Sequence, residues 1–181
     1  TPSSTRVVAT AMVIVAAALI VAFAAWGRSC LSDARLQIPD SVVAVGSSAA
    51  DLPRSALVRN EVQDYYELRP SGSLFNLMNI DVDRGRVTQI RMYGRPFIQR
   101  EELEDYGRRL QEKNGAHIVD AETRECDAAI MWCWFGKADA VILLAQKADG
   151  GGPALKASTL MASSIAEGRQ LAESRWAQWS K

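Results

Sequence analysis

Histidine is almost absent from this chain, and cysteine is scarce. His117 is the one histidine among 181 residues, and the three cysteines are Cys30, Cys126 and Cys133. A zinc site needs several cysteine or histidine ligands at short spacings, which these residues do not offer. We therefore expect no metal and no cofactor. An enzyme with a cysteine nucleophile would have to pair Cys126 or Cys133 with His117, and nothing near these residues favours that hypothesis.

An excess of basic residues is also missing. Lysine and arginine together number 21, as do aspartate and glutamate, so the formal net charge is zero. The two signs are interspersed along the chain, whereas a protein that binds phosphate backbones needs a basic patch or stripe. We therefore exclude nucleic acid as an expected partner.

The odd number of cysteines predicts one disulfide bond and one remaining thiol if the domain lies outside the cytoplasm. Cys126 and Cys133 can pair if the chain bends between them. If residues 128–135 are one straight strand, the two cysteines lie too far apart, and Cys30 with Cys126 is the alternative pair. In a reducing compartment all three would remain thiols.

Charged residues, proline and glycine are all absent from residues 7–26. At about 1.5 Å per residue, a helix of this length crosses the hydrocarbon core of a bilayer. Arg6 before the run, with Trp26 and Arg28 at its end, suits anchoring at the two membrane interfaces. The alternative is a secretory signal cleaved after Ala24, but the apolar run is longer than that of a typical signal. We predict a retained transmembrane helix.

One face of this predicted helix carries small residues at steps of seven, four and three, which are Ala11, Ala18, Ala22 and Ala25. Small side chains let a second helix approach closely, and such packing drives helix association in lipid. We therefore expect integral membrane protein subunits and the lipid bilayer as partners. The chain then divides into an N-terminal tail (1–6), the transmembrane helix (7–26), a juxtamembrane spacer (27–41) and one extracytoplasmic domain (42–181).

Two hairpins and a helix are predicted for the middle of the domain. Residues 80–83 and 87–93 alternate apolar and polar side chains on either side of a turn. The expected core face of this hairpin comprises Met78, Ile80, Val82, Thr88, Ile90 and Met92. Residues 99–114 predict a helix with acidic residues first and basic residues last. Residues 128–135 and 140–146 predict a second hairpin, whose first strand is apolar on both faces and therefore covered on both sides.

The start of the domain is predicted as a strand at 42–45 and a helix that begins at 51–53, with Asp51 as its cap and Pro53 in its first turn. Helical spacing continues over 58–69, where a strand is the alternative. Residues 155–161 predict a further strand near the end. This order of elements indicates an α+β domain, in which an antiparallel sheet is packed against helices.

A closing helix follows that strand, and Ser164 with Glu167 predicts the capping box at its start. Trp176 and Trp179 share one side of this helix with Ile165 and Ala172. The two tryptophans can close the domain's own core, or they can contact a partner or the membrane interface. We retain both as candidate partner residues.

No set of residues predicts a particular reaction, so we interpret the chain as non-catalytic. We expect a single-pass protein of the bacterial inner membrane whose domain lies in the periplasm. Its expected role is that of an accessory or assembly subunit in a larger envelope membrane complex. The alternative is a binding or inhibitor module, secreted or tethered, and an enzyme using cysteine and histidine ranks last.

Overall fold

The computed structural model describes residues 35–53, 65–70, 74–149 and 152–179. No helix within these ranges is long and apolar enough to cross a membrane. The predicted transmembrane helix 7–26 lies outside the described residues. The same is true of its small-residue face, its interface residues and the first cysteine, namely Ala11, Ala18, Ala22, Ala25, Trp26, Arg28 and Cys30.

The described ranges contain eight strands and two α-helices, preceded by a short 3-10 helix, Ala49–Asp51. In chain order they are β1 Tyr65–Leu68, β2 Phe75–Asp83, β3 Arg86–Gly94, β4 Ile98–Gln99, α1 Arg100–Asn114, β5 Asp120–Glu125, β6 Ala129–Phe135, β7 Asp139–Lys147, β8 Ala154–Ser164 and α2 Ile165–Trp179. All strand pairs are antiparallel. The sheet order is β1-β2-β3-β8-β7-β6-β5, and β4 also pairs with β8. The predicted α+β domain, an antiparallel sheet with packed helices, is therefore confirmed.

The first predicted hairpin is present as β2 and β3. Asp83 pairs with Arg86, so the loop holds only Arg84 and Gly85. Both loop residues have positive φ angles, 48° and 74°, as a type I′ turn requires. This turn matches the right-handed twist of the strands, which explains why the sequence pattern located it correctly.

One residue of this hairpin, Thr88, was assigned to the core face wrongly. Thr88 is exposed, and Val87 is buried in its place. The strand pairing is irregular between Asp81 and Val82, and this irregularity places Val87 opposite Val82. A bulge of this kind shifts the alternation by one residue, which a strict two-residue period cannot anticipate.

The second hairpin and the middle helix are also confirmed. They are β6 with β7, and α1, whose predicted apolar stripe is buried: Leu103, Tyr106, Gly107 and Leu110. Strand β6 contributes Trp134 to one core cluster and Met131, Cys133 and Phe135 to another. The expectation that this strand is covered on both sides is therefore correct.

The first face of the sheet is covered by α1 and by residues 35–53. This N-terminal segment includes Leu36 and Ile38, which are 2% and 1% exposed, so residues of the expected spacer belong to the fold. The strand predicted at 42–45 is absent, because Ser41 and Ser47 bond locally to backbone groups of Val43 and Ala44. Such bonds from serine compete with strand pairing.

Four hydrogen bonds fasten the N-terminal segment to the domain. The Asn114 side chain accepts from the Gln37 backbone N–H at 2.7 Å and donates to the Gln37 carbonyl at 2.8 Å. The Tyr106 hydroxyl donates to the Pro39 carbonyl at 2.6 Å, and the Leu36 N–H donates to Asp139 at 3.0 Å. The chain therefore enters the domain at a fixed place.

Residues 65–68 are a strand, so the helix preferred for 58–69 is wrong there and the alternative is right. The predicted helix start is wrong too, because Asp51 ends the 3-10 helix that Ser48 caps, and Leu52 is extended. Tyr66 pairs with Ile80 of β2, and Leu68 pairs with Met78. Both Tyr66 and Leu68 pack partly buried against the core of the first face. The neighbouring strand therefore decides the conformation, which local spacing left undecided. Residues 54–64 lie outside the described residues.

The second face of the sheet is covered by α2, which packs on β6, β7 and β8. The predicted capping box is confirmed, because the Ser164 hydroxyl accepts from the Glu167 N–H and the Glu167 carboxylate accepts from the Ser164 N–H. Ion pairs join the helix to the edge strand β5, with Arg124 Nη2 lying 2.6 Å from Glu173 Oε1. A Cβ at Gly168 would overlap Ala140, so the helix lies unusually close to β7 there.

We expect the Asp139 carboxyl to make a pH-dependent contribution to the free energy of unfolding. Burial raises the pKa of this carboxyl above its ordinary 3.8, and the Leu36 N–H and the charge of Arg35 offset only part of that rise. The ionised carboxylate is therefore less stable in the folded protein than in the unfolded chain. As the pH falls from neutral through the folded pKa, toward about 4, the contribution of Asp139 to the free energy of unfolding should rise, and this gain is complete below the unfolded value.

The measurement for Asp139 is the free energy of unfolding at several pH values, compared with Asp139→Asn. The free energy of unfolding of the native protein, minus that of the variant, should rise as the pH falls, because the variant has no carboxyl to titrate at this position. A difference that stays constant with pH would contradict the prediction. The comparison removes the contribution of the other carboxylates, which both proteins share.

Candidate functional site

The second face of the sheet is only partly covered. Side chains of β3 alternate between faces, with Ile90 and Met92 in the first core and Arg91 and Tyr93 on the second face. Arg91 lies opposite Asn79 of β2 and Met161 of β8. The residues of this strip are half-buried and mostly polar: Asn79, Asp81, Gln89, Arg91 and Tyr93.

A cleft of about 270 Å³ lies where this strip meets α2. We call it the α2 cleft, and its main lining residues are Arg91, Tyr93, Gln146, Thr159, Arg175 and Trp179. It lies on the second face of β3, β8 and β7, beside the C-terminal end of α2. Strand β3 pairs with β8 from Ile90 to Tyr93, and β4 pairs with β8 at Ile98 and Leu155.

Positive charge is only partly compensated in the α2 cleft. Arg91 Nη2 bonds to both carboxylate oxygens of Asp81, at 2.9 and 2.8 Å. Its Nε is buried, and no described atom accepts a hydrogen bond from it. Arg175 bonds to the side-chain oxygen of Gln178 at 3.3 Å, and none of the described residues that line the cleft carries a carboxylate. One guanidinium of the cleft, that of Arg175, therefore has no carboxylate partner among the described residues.

The two candidate tryptophans have different surroundings. Both are half-buried and pack on the core of the second face. Trp179 also lines the α2 cleft, beside Arg175, and its backbone carbonyl lies 3.5 Å from the Cys126 sulfur. Trp176 and Trp179 thus help to close the domain's own core, and their binding to a partner remains a prediction.

Cys126 and Cys133 are free thiols, and the described residues form no disulfide bond. Cys133 lies in the regular strand β6, four residues after Ala129. At about 3.4 Å per strand residue this places it well beyond the reach of Cys126, which sits beside the start of the strand. The alternative pair uses Cys30, which lies outside the described residues.

The chemistry of Cys133 does not favour a nucleophile. The thiol is 1% exposed, and burial, with a smaller effect of Glu122, raises its pKa from 9.0 to about 12. It therefore stays protonated at neutral pH, and a thiol is far less reactive than a thiolate. His117 is exposed in the loop after α1. No group of three or more histidine, cysteine or acidic side chains in the described ranges could hold a metal ion.

The sequence patterns did not single out Arg91, Tyr93 or Arg175. The hairpin pattern placed Arg91 and Tyr93 on the face opposite the core, but no local signal brings α2 beside β3. That neighbourhood depends on the sheet order, in which β8 separates β3 from β7. No family model, no curated protein and no solved structure matches this chain.

Proposed function

We propose that this protein is a non-catalytic, single-pass accessory or assembly subunit of a larger membrane complex in the bacterial envelope. Its domain acts by binding a partner protein on the periplasmic side of the inner membrane. The observation that carries the proposal is the α2 cleft beside a half-buried polar strip. An antiparallel sheet can expose one face to water without any function, but an arginine in a concave site whose charge no described carboxylate neutralises is suited to binding.

Two features of the chain support a tethered domain. The uncharged run at 7–26 is long enough to span a bilayer, and only residues 27–34 separate it from the described domain. The next residues are fastened by hydrogen bonds to Tyr106, Asn114 and Asp139. A fixed entry point suits a domain that holds a partner in one orientation.

The second candidate function is a binding or inhibitor module that acts alone, either tethered or secreted. The volume of the α2 cleft favours this second function, because the cleft can hold one or two side chains or a small acid without further subunits. The two functions differ in the mature N-terminus and in the association state of the native protein.

The test is the native mass of the full chain, extracted from its own membranes in mild detergent. A mass far above one chain plus its micelle, with other proteins co-migrating, is the expected result. A single chain in its micelle would contradict the accessory-subunit proposal and favour the tethered module. Recovery without detergent, with an N-terminus near Ala25, would show that residues 7–26 are a cleaved signal.

Substitution of the small-residue face tests the predicted helix packing. Ala18→Leu with Ala22→Leu should reduce the recovery of membrane partners about tenfold, because the larger side chains prevent close approach. Ala9→Leu with Ala16→Leu is the matched control, since it adds the same volume on the opposite side of the predicted helix. Equal losses in both pairs, or no loss in either, would contradict this packing face.

A further inference from the structure

We propose that the α2 cleft binds a carboxylate group of the protein partner, with Arg175 as its charged anchor and Trp179 packing beside it. The inference rests on the proposed function, because it identifies the chemistry by which the same surface recognises its partner. It concerns an acidic side chain or a C-terminal carboxylate that reaches the cleft from the partner.

Arg175 differs from most arginines of the described domain. Those arginines form ion pairs with carboxylates, as Arg91 does with Asp81, Arg124 with Glu173 and Arg169 with Asp120. Among the described residues, Arg175 has a side-chain amide as its neighbour instead, and none of those that line its cleft is an acid. A guanidinium with free donors matches the planar geometry of a carboxylate, which it can bind through two parallel hydrogen bonds.

The surrounding groups complete an anion site. Tyr93, Thr159 and the indole of Trp179 bring further possible donors to the same lining. Arg91 is held in place by its two bonds to Asp81, which neutralise its charge, so Arg175 is the charged anchor of the site. Arg175 itself is exposed and Trp179 is half-buried, so an incoming group can reach them without a change in the fold.

A protein carboxylate fits this site better than a lipid or nucleic-acid phosphate. Binding to an anionic membrane surface needs several basic residues together, whereas α2 alternates Glu167, Arg169, Glu173 and Arg175. The cleft of about 270 Å³ is smaller than most sites for whole ligands. One or two side chains of a docked protein would fill it.

The test uses the full chain in its native membranes and a water-soluble carbodiimide as the probe. Arg175→Lys introduces a primary amine in the cleft. The carbodiimide activates the partner's carboxylate, the amine displaces the urea, and an amide bond links the two chains. A crosslinked species that is specific to Arg175→Lys is the expected result, because the native guanidinium does not form this bond.

Arg86→Lys is the matched control for this crosslink. Arg86 also lies beside a neutral group, the Gly46 carbonyl at 3.1 Å, and it is exposed. A crosslink that forms equally with Arg86→Lys, or with neither variant, would overturn the carboxylate assignment. Arg175→Gln should independently reduce partner recovery about tenfold or more, since it removes a charge-assisted hydrogen bond, whereas Arg86→Gln should leave recovery unchanged.

The two proposals fail in different ways. If the native protein recovers no partner at all, the accessory-subunit proposal fails. If the native protein recovers a partner and Arg175→Gln recovers the same amount, the subunit role stands and the carboxylate site is wrong. Binding of the native chain to phosphatidylglycerol vesicles that depends on Arg175, without any protein crosslink, would also overturn the assignment.

Discussion

Tyr106→Ala should lower the free energy of unfolding by about 3–5 kcal/mol, as expected when a fully buried aromatic side chain is removed. Tyr106 is 0% exposed. Its ring meets Phe75 edge to face, with centroids 5.1 Å apart and planes at 70°, and its hydroxyl donates to the Pro39 carbonyl. One side chain of α1 thus joins a strand and the N-terminal segment. Urea unfolding of the full chain in mild detergent, followed by tryptophan fluorescence, gives the measurement.

Tyr106→Phe separates the hydroxyl from the ring. Burial raises the pKa of the Tyr106 hydroxyl, so it stays protonated and available as a donor to Pro39. Its removal leaves a carbonyl without that donor, at an expected cost of about 1–3 kcal/mol. Arg109→Ala is the control, because it removes a half-exposed guanidinium that lies 5.1 Å from the ring centroid and 3.9 Å from Asp40, and it leaves the buried ring and hydroxyl of Tyr106 in place. An equal, small effect of Tyr106→Ala and Arg109→Ala would mean that α1 does not hold the N-terminal segment.

The elements that were predictable are those whose signal is local. The β2–β3 hairpin has two turn residues of positive φ between alternating strands, and α1 has a buried stripe with a suitable charge distribution at its ends. The apolar residues on both faces of β6 indicated two covering layers, and α1 and α2 lie on opposite faces of the sheet. Each of these patterns follows from the geometry of one element and its immediate neighbours.

Other features depend on residues far apart in the chain. Residues 35–41 were assigned to the spacer, because nothing local shows that Asn114 and Asp139 bond to Gln37 and Leu36. Strand β1 was ambiguous because its spacing fits both a helix and a strand, and only pairing with β2 resolves it. Long-range pairing of this kind leaves no mark in a short window of sequence.

Most residues of the candidate site could not be predicted from the sequence patterns. Trp179 was identified from its place on the closing helix, and it does line the α2 cleft. Arg91 and Tyr93 come from β3, which is more than 70 residues away from α2 in the chain. The cleft depends on β8 pairing with β3 on one side and with β7 on the other, and no short window of sequence carries a signal for that order.

Gly168→Ala should destabilise the domain by about 2 kcal/mol, although alanine is the better helix former. In an exposed helix interior this change would gain about 1 kcal/mol. Here the new Cβ would overlap the Cβ of Ala140, which is fixed to the β7 backbone and cannot rotate away. Overpacking of this kind typically costs about 1–3 kcal/mol. Helix α2 must therefore move outward, and Arg175 and Trp179 move with it relative to Arg91 and Tyr93.

The double variant Gly168→Ala with Ala140→Gly separates this overlap from any other defect. Removing the Ala140 Cβ restores the room, so stability should return to within about 1 kcal/mol of the native chain, the remaining cost being that of glycine in a strand. Partner recovery should fall with the single variant and return with the double one, because stability and partner recovery both depend on the close packing of α2 against β7. A Gly168→Ala protein more stable than the native one would show that α2 does not lie this close to the sheet, and the width of the α2 cleft would then be set by other contacts.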